Sequence, residues 1–136
     1  GNIQWPGVYA FCQPPALKEL LNRAGGLIRG MQKSLPRNGI LCHCGSNICL
    51  RSDGQKVCIF EGEMSAFYKV TLGMPISLNT ESLNGLTAIP GIGPSIARAI
   101  VRERDKRAGF QQMDEMLSIP GIGPRLYKKA ARYLTL

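Results

Sequence analysis

The chain has a single histidine, His43, and its 9 acidic residues are outnumbered by 17 lysines and arginines. No nucleophile stands at a recognisable spacing from that one imidazole, and no carboxylate cluster has metal-ligand spacing, so no catalysis is expected. No run approaches the roughly 18 apolar residues that cross a bilayer, and no signal-peptide pattern is present. The chain opens on Gly1 rather than Met, which reads as a truncated or processed form, so that a natural anchor or signal can be missing. A Gly-x-Gly element at 91–93 lacks the third glycine, the preceding strand and the downstream acid of a dinucleotide site.

The shortage of acid leaves a formal charge of +8. Such a balance favours an anionic partner, whether nucleic acid, a membrane surface or an acidic polymer. The excess is spread evenly, so charge alone does not locate a binding face: 8 basic and 4 acidic groups lie in residues 1–76, and 9 and 5 in residues 77–136. At 136 residues the chain forms one ordinary domain or two small ones.

The five cysteines, Cys12, Cys42, Cys44, Cys49 and Cys58, are odd in number and match no zinc spacing. Cys42-His43-Cys44 is the one tempting cluster. If Ile40–Cys44 is a strand, however, Cys42 and Cys44 share one face and His43 points to the other. That geometry disfavours a metal site and a thiol–imidazole pair alike. No metal or cofactor is expected, and the cysteines read as small buried hydrophobes, with one disulfide allowed in an oxidising compartment.

The first half is mixed α and β. Val8–Phe11 has strand character. Leu17, Leu20, Leu21 and Ala24 fall on one helical face behind Pro15, and Gly25-Gly26 ends that helix. Residues 30–39 read as a loop. Ile40–Cys44, Asn47–Arg51 and Lys56–Phe60 are short strand candidates, the last two joined by Asp53-Gly54. Val70 to Leu72 or Ile76 adds a last strand.

From Leu78 the texture is helical. Asn79-Thr80 offers an N-cap for a helix through Leu86. Pro94 begins a longer helix with Ile96, Ala97, Ile100 and Val101 as its apolar stripe. Met113–Ile119 is a short helix, and Pro124–Leu134 is the final one. Two identical turns punctuate this half. Ile89-Pro90-Gly91-Ile92-Gly93 and Ile119-Pro120-Gly121-Ile122-Gly123 stand thirty residues apart, each followed by Pro. A glycine turn at a helix N-terminus presents backbone N–H groups where positive partial charge accumulates, a ready seat for phosphate.

This repeat resembles the tandem helix-hairpin-helix domain. With Leu78-Asn79-Thr80, Arg102-Glu103-Arg104, Gly109-Phe110 and the closing Tyr133-Leu134-Thr135-Leu136, it resembles in particular the ComEA family of competence DNA receptors. Trp5-Pro6-Gly7-Val8-Tyr9, Leu17, Leu20-Leu21, Ala24-Gly25-Gly26-Leu27 and Asp53-Gly54 are similar to the SLBB module, a small β-grasp domain that often precedes such hairpins.

The resemblance implies an α+β chain: a β-grasp domain over 1–76, a short linker near Pro75, and an all-α tandem helix-hairpin-helix domain over 77–136. It implies double-stranded DNA as partner, bound without sequence preference and with the central Ile of each turn packed between helices. The contacting set carried over by position is Gly91, Ile92, Gly93, Ser95 and Arg98, then Gly121, Ile122, Gly123, Arg125, Lys128 and Lys129. Family members commonly carry Lys where this chain has Ile96, so the second hairpin should supply more of the electrostatic energy. The resemblance further implies an extracytoplasmic location, a membrane tether outside this sequence, other DNA-uptake components as partners, and a first domain that self-associates or acts as a spacer. The competing expectation is a scaffolding protein whose hairpins pack on another protein.

Overall fold

The computed structural model describes residues 3–28, 39–52 and 57–136. It divides into two compact units, Gly1–Met64 and Ser65–Leu136. The architecture is α+β, a small two-stranded sheet region followed by a helical region.

In the first unit, helix α1 spans Leu17–Arg23. Its start lies one residue past Ala16, which caps it without a side-chain bond, so Pro15 precedes the helix rather than opening it. Gly25 and Gly26 end it as expected. Gly25 takes a φ of 76°, its N–H donates to Asn22 O, and Gly26 N–H donates back to Leu21 O at 2.8 Å. This crossed pair of bonds is the Schellman terminus, which favours glycine because the left-handed residue carries no Cβ.

Strands β1 (Ser46–Ser52) and β2 (Val57–Glu63) pair antiparallel, with Cys49 opposite Phe60 and Leu50 opposite Ile59. Alternation sends Ile48, Leu50, Val57 and Ile59 to a core shared with Leu17, Leu21, Leu27 and Cys42. On the other face the Arg51 guanidinium lies 5.7 Å from the Phe60 ring centre. Lys56, the expected Asp53-Gly54 turn and all but the last residue of the expected 30–39 loop lie outside the described residues.

Two strand expectations fail here. Val8–Phe11 forms no ladder, because side chains hold it: Arg23 donates to Ala10 O at 2.8 Å and stacks 4.6 Å over the Phe11 ring. Ile40–Cys44 reduces to a single bridge between Leu41 and Ala16, and the chain turns at Cys44-Gly45. Cys42 is therefore buried while Cys44 is exposed, and the two do not share an environment. Burial pushes the Cys42 thiol above its ordinary pKa, with Glu61 adding to the shift. Among the described residues, no three His, Cys, Asp or Glu side chains gather as metal ligands. Beyond the bridges Ile3–Leu27 and Ala16–Leu41, the hairpin is the first unit's only described sheet.

The second unit opens with helix α2, Ala66–Thr71, where the sequence suggested a strand at Val70. Ala66 and Val70, one turn apart, are the buried pair that selects the helix over the β-branched preference of Val70 and Thr71. Both side chains belong to the helical core, so the unit begins ahead of the expected boundary at 76/77. Strand β3 (Ile76–Ser77) then pairs in parallel with β4 (Leu134–Thr135). Helix α3 (Leu83–Leu86) is capped by Ser82, whose Oγ accepts from Gly85 N–H at 2.9 Å.

Asn79 does not cap this helix because its side chain is committed elsewhere. Its amide donates to Phe110 O at 2.9 Å and accepts from Phe110 N–H at 2.7 Å. This two-bond clamp fixes the chain after helix α4 (Pro94–Arg107), whose C-cap Ala108 and neighbour Gly109 both take positive φ. Asn79→Ala would strand both Phe110 backbone groups beside the core and should cost about 2 kcal/mol. Urea unfolding followed by circular dichroism will read this as a lowered midpoint.

The expected short helix over Met113–Ile119 is a 3₁₀ segment, Met113–Ser118. Helix α5 covers Pro124–Ala130, then one 3₁₀ turn (Ala131–Tyr133) leads into β4, so the final helix ends earlier than Leu134. The thirty-residue repeat is also a repeat of burial. Leu86 and Met116 are 0% exposed, as are Ile100 and Ala130, while Ile89 and Ile119 are at 1% and 2%. Each large apolar member of this set contributes about 1.5–3 kcal/mol on leaving water.

Candidate nucleic-acid interface

The two helical hairpins are α3–turn–α4 and 3₁₀–turn–α5. In each, one turn residue is forced left-handed: φ is 99° at Gly91 and 94° at Gly121. The next residue turns inward. Ile92 and Ile122 are 3% and 4% exposed, and their N–H groups donate to Ile89 O and Ile119 O at 3.0 Å. Packing is their role, and neither has a free amide to offer a ligand.

The glycine after each Ile is the N-cap of the following helix. Gly93 O and Gly123 O accept the first helical bonds, from Ala97 and Tyr127 N–H, both at 2.9 Å. This leaves orphan donors ahead of them, as every helix start does. Among the described residues, no acceptor engages the N–H of Gly91, Gly93, Ser95 and Ile96, or of Gly121, Gly123, Arg125 and Leu126. Gly93 and Gly123 have ordinary extended backbone, with φ of −84° and −86°. A Cβ on either would meet nothing within 4 Å. Neither φ nor packing requires glycine there; it is a favoured N-cap, and having no side chain it leaves the outer face of the turn open.

Cations flank these turns unequally. Arg125, Lys128, Lys129 and Arg132 fall at helical spacing i, i+3, i+4 and i+7, all exposed, and together line one shallow groove. Arg132 was not in the set expected from sequence, although its spacing from Arg125 would have included it. One repeat earlier, Arg98 and Arg102 are exposed at the positions of Lys128 and Arg132, while Ser95 and Ala99 stand where Arg125 and Lys129 do. Among the described residues, none of these six cations forms a salt bridge.

The other basic residues of α4 are spent internally. Arg104 donates to Glu81 O at 2.9 Å, and Arg107 reaches Ser118 Oγ at 2.8 Å and Glu103 at 3.4 Å. The bond from Lys106, at 3.0 Å, holds the Glu103 carboxyl below its ordinary pKa, with Arg107 adding to the effect. The structure thus separates structural cations from those left facing solvent. From sequence, Arg98 was singled out among the basic residues of α4, and Arg102 was not.

Comparison with known proteins agrees with this geometry. Residues 73–135 match the helix-hairpin-helix motif family, a span that holds both turns and all six free cations. The chain is also similar to ComE operon protein 1 of Bacillus subtilis (strain 168), at 24% identity over 136 residues. That alignment takes in 99% of this chain and 66% of the relative, so the chain spans about two thirds of the relative's length.

Proposed function

We propose that the second unit binds double-stranded DNA through its phosphate backbone, without sequence preference. The observation that carries this reading is the duplicated turn, with its unengaged N–H donors on an open face beside unpaired cations. Backbone amides and lysine or arginine side chains position a protein on a duplex but read no bases. The contact set is Gly91, Gly93, Ser95, Arg98 and Arg102 on the first hairpin, and Gly121, Gly123, Arg125, Lys128, Lys129 and Arg132 on the second. Four exposed cations against two make the second hairpin the stronger electrostatic partner.

Likeness to ComE operon protein 1 supports a role in competence, as a non-enzymatic receptor in DNA uptake outside the cytoplasmic membrane. In that role the chain acts with a membrane tether and other uptake components, and the first unit, as an SLBB-like module, mediates self-association.

Anisotropy of a short labelled duplex, titrated at several salt concentrations, tests the core of the proposal. Log affinity should fall linearly with log salt, with a slope near −0.9 for each phosphate neutralised, and the base sequence should not matter. Absence of binding at low salt would move the assignment to a protein partner. Gly93→Ala with Gly123→Ala is the sharper probe. Stability should stay within about 1 kcal/mol, since alanine fits both backbones. Affinity should fall about tenfold per hairpin as the methyl groups block the amides.

A further inference from the structure

The two hairpins are not merely adjacent copies, for each reaches into the other's turn. Leu126 Cδ1 lies 2.7 Å from where a Cβ on Gly91 would be, and Ile96 Cγ1 lies 3.5 Å from the corresponding point on Gly121. Ile96 and Leu126 are equivalent residues of the repeat, the third of α4 and of α5, and both are half-buried. Each side chain leaves the first turn of its own helix and covers the left-handed glycine of the opposite motif. The neighbours of both are unengaged N–H donors, where an aliphatic side chain contributes nothing to an anion.

We propose that Ile96 and Leu126 are positioning residues: their crossed contacts fix the two turns in one arrangement, so that both engage a single duplex at once. This rests on the hairpins being phosphate binders. Fixing two weak sites makes the second engagement intramolecular, and its effective concentration is greatest when the spacing is rigid and correct. Both turns are rooted in one buried core, so loss of the crossed contacts loosens their setting at the surface and weakens simultaneous engagement of the duplex.

The test uses the full chain, isotopically labelled, with an unlabelled duplex of arbitrary sequence. In the unsubstituted protein the amide signals of Gly91, Gly93, Gly121 and Gly123 should shift along one common binding curve. In the folded Ile96→Ala/Leu126→Ala variant the curves should separate, with Gly121 and Gly123 the tighter pair. Affinity should drop roughly tenfold or more, and the salt slope should fall toward that of one hairpin. Ile96→Val, which keeps the contacting Cγ1 and leaves Leu126 native, should retain the common curve, so that separation in the double variant is traced to the lost contacts.

Separate curves in the unsubstituted protein would overturn the coupling while leaving DNA binding intact. Unshifted glycine signals would overturn the binding reading itself. A folded double variant that keeps one curve and the full slope also refutes the role of these residues. If the double variant does not fold, Leu126→Val takes its place and is read by the same criteria.

Discussion

Arg125→Glu with Lys129→Glu should lower duplex affinity about a hundredfold near 0.1 M salt and make the salt slope shallower by roughly two. The fold should survive unchanged or slightly stabilised, for a reason visible in the stripe itself. Arg125, Lys128, Lys129 and Arg132 crowd like charges at i, i+3 and i+4, where each such pair costs about 0.2–0.5 kcal/mol. The new carboxylate at position 125 would face Lys128, and the one at position 129 would face Arg132, turning both i, i+3 repulsions into attractions. The i, i+4 pairs stay like-charged, so they neither add to the gain nor cancel it. A carboxylate at position 125 would sit in the first turn of α5, where negative charge is favoured. One at position 129 would sit in the last turn, where it is not, so these two effects offset each other. Anisotropy would measure the loss, and a thermal melt by circular dichroism would show the midpoint held or raised. Affinity that survives this change would place the contact surface elsewhere. Lys128 and Lys129 lie in the last turn, where cations are favoured. It is Arg125, in the first turn, that stands against local electrostatic preference, as expected if an external anion relieves it.

Gly91→Ala is the largest stability effect expected of a single methyl group in this unit, about 3 kcal/mol. Two costs combine. A φ of 99° is nearly closed to residues with a Cβ, at about 1–3 kcal/mol. The new methyl also falls 2.7 Å from Leu126 Cδ1, and displacing a packed side chain adds about 1–3 kcal/mol, discounted here because Leu126 is only half-buried. Gly93→Ala, two residues on, meets neither cost. Urea denaturation of the two variants side by side should therefore show a large shift in one midpoint and almost none in the other. Equal shifts would mean that the turn is less strictly specified than its backbone angles indicate.

The helical hairpins were legible in the sequence because every level agreed on them: glycine where φ is positive, proline at the helix start, and apolar residues at a fixed spacing. Elsewhere local cues competed with distant partners. Asn79 has the chemistry of a cap, yet Phe110, far along the chain, claims its side chain and leaves the capping to Ser82. Val70 and Thr71 favour a strand in isolation, but the core accepts Ala66 and Val70 from one helical face. Cys42 and Cys44 looked equivalent until the turn at Gly45 separated them. At the candidate site the glycines and most of the cations were readable. Arg102 and Arg132 were not: Arg102 differs from Arg104 and Arg107 only in what the folded chain brings near them, and Arg132 lies beyond the end of α5. The crossed contacts of Ile96 and Leu126 were equally invisible, since they exist only between the two copies of the repeat.

The parallel pairing of β3 with β4 joins the opening of the second unit to its far end, with Leu78 N–H donating to Thr135 O at 2.7 Å. Helices assemble from neighbouring residues within microseconds, whereas a contact between distant segments must first close the loop that separates them. Helices α3 and α5, of 4 and 7 residues, are too short to hold alone and depend on the shared core, in which Ile76, 1% exposed, is covered beside Leu134. The seam thus ties the two ends of the unit together, at an entropic cost of loop closure that the local contacts within each hairpin do not carry.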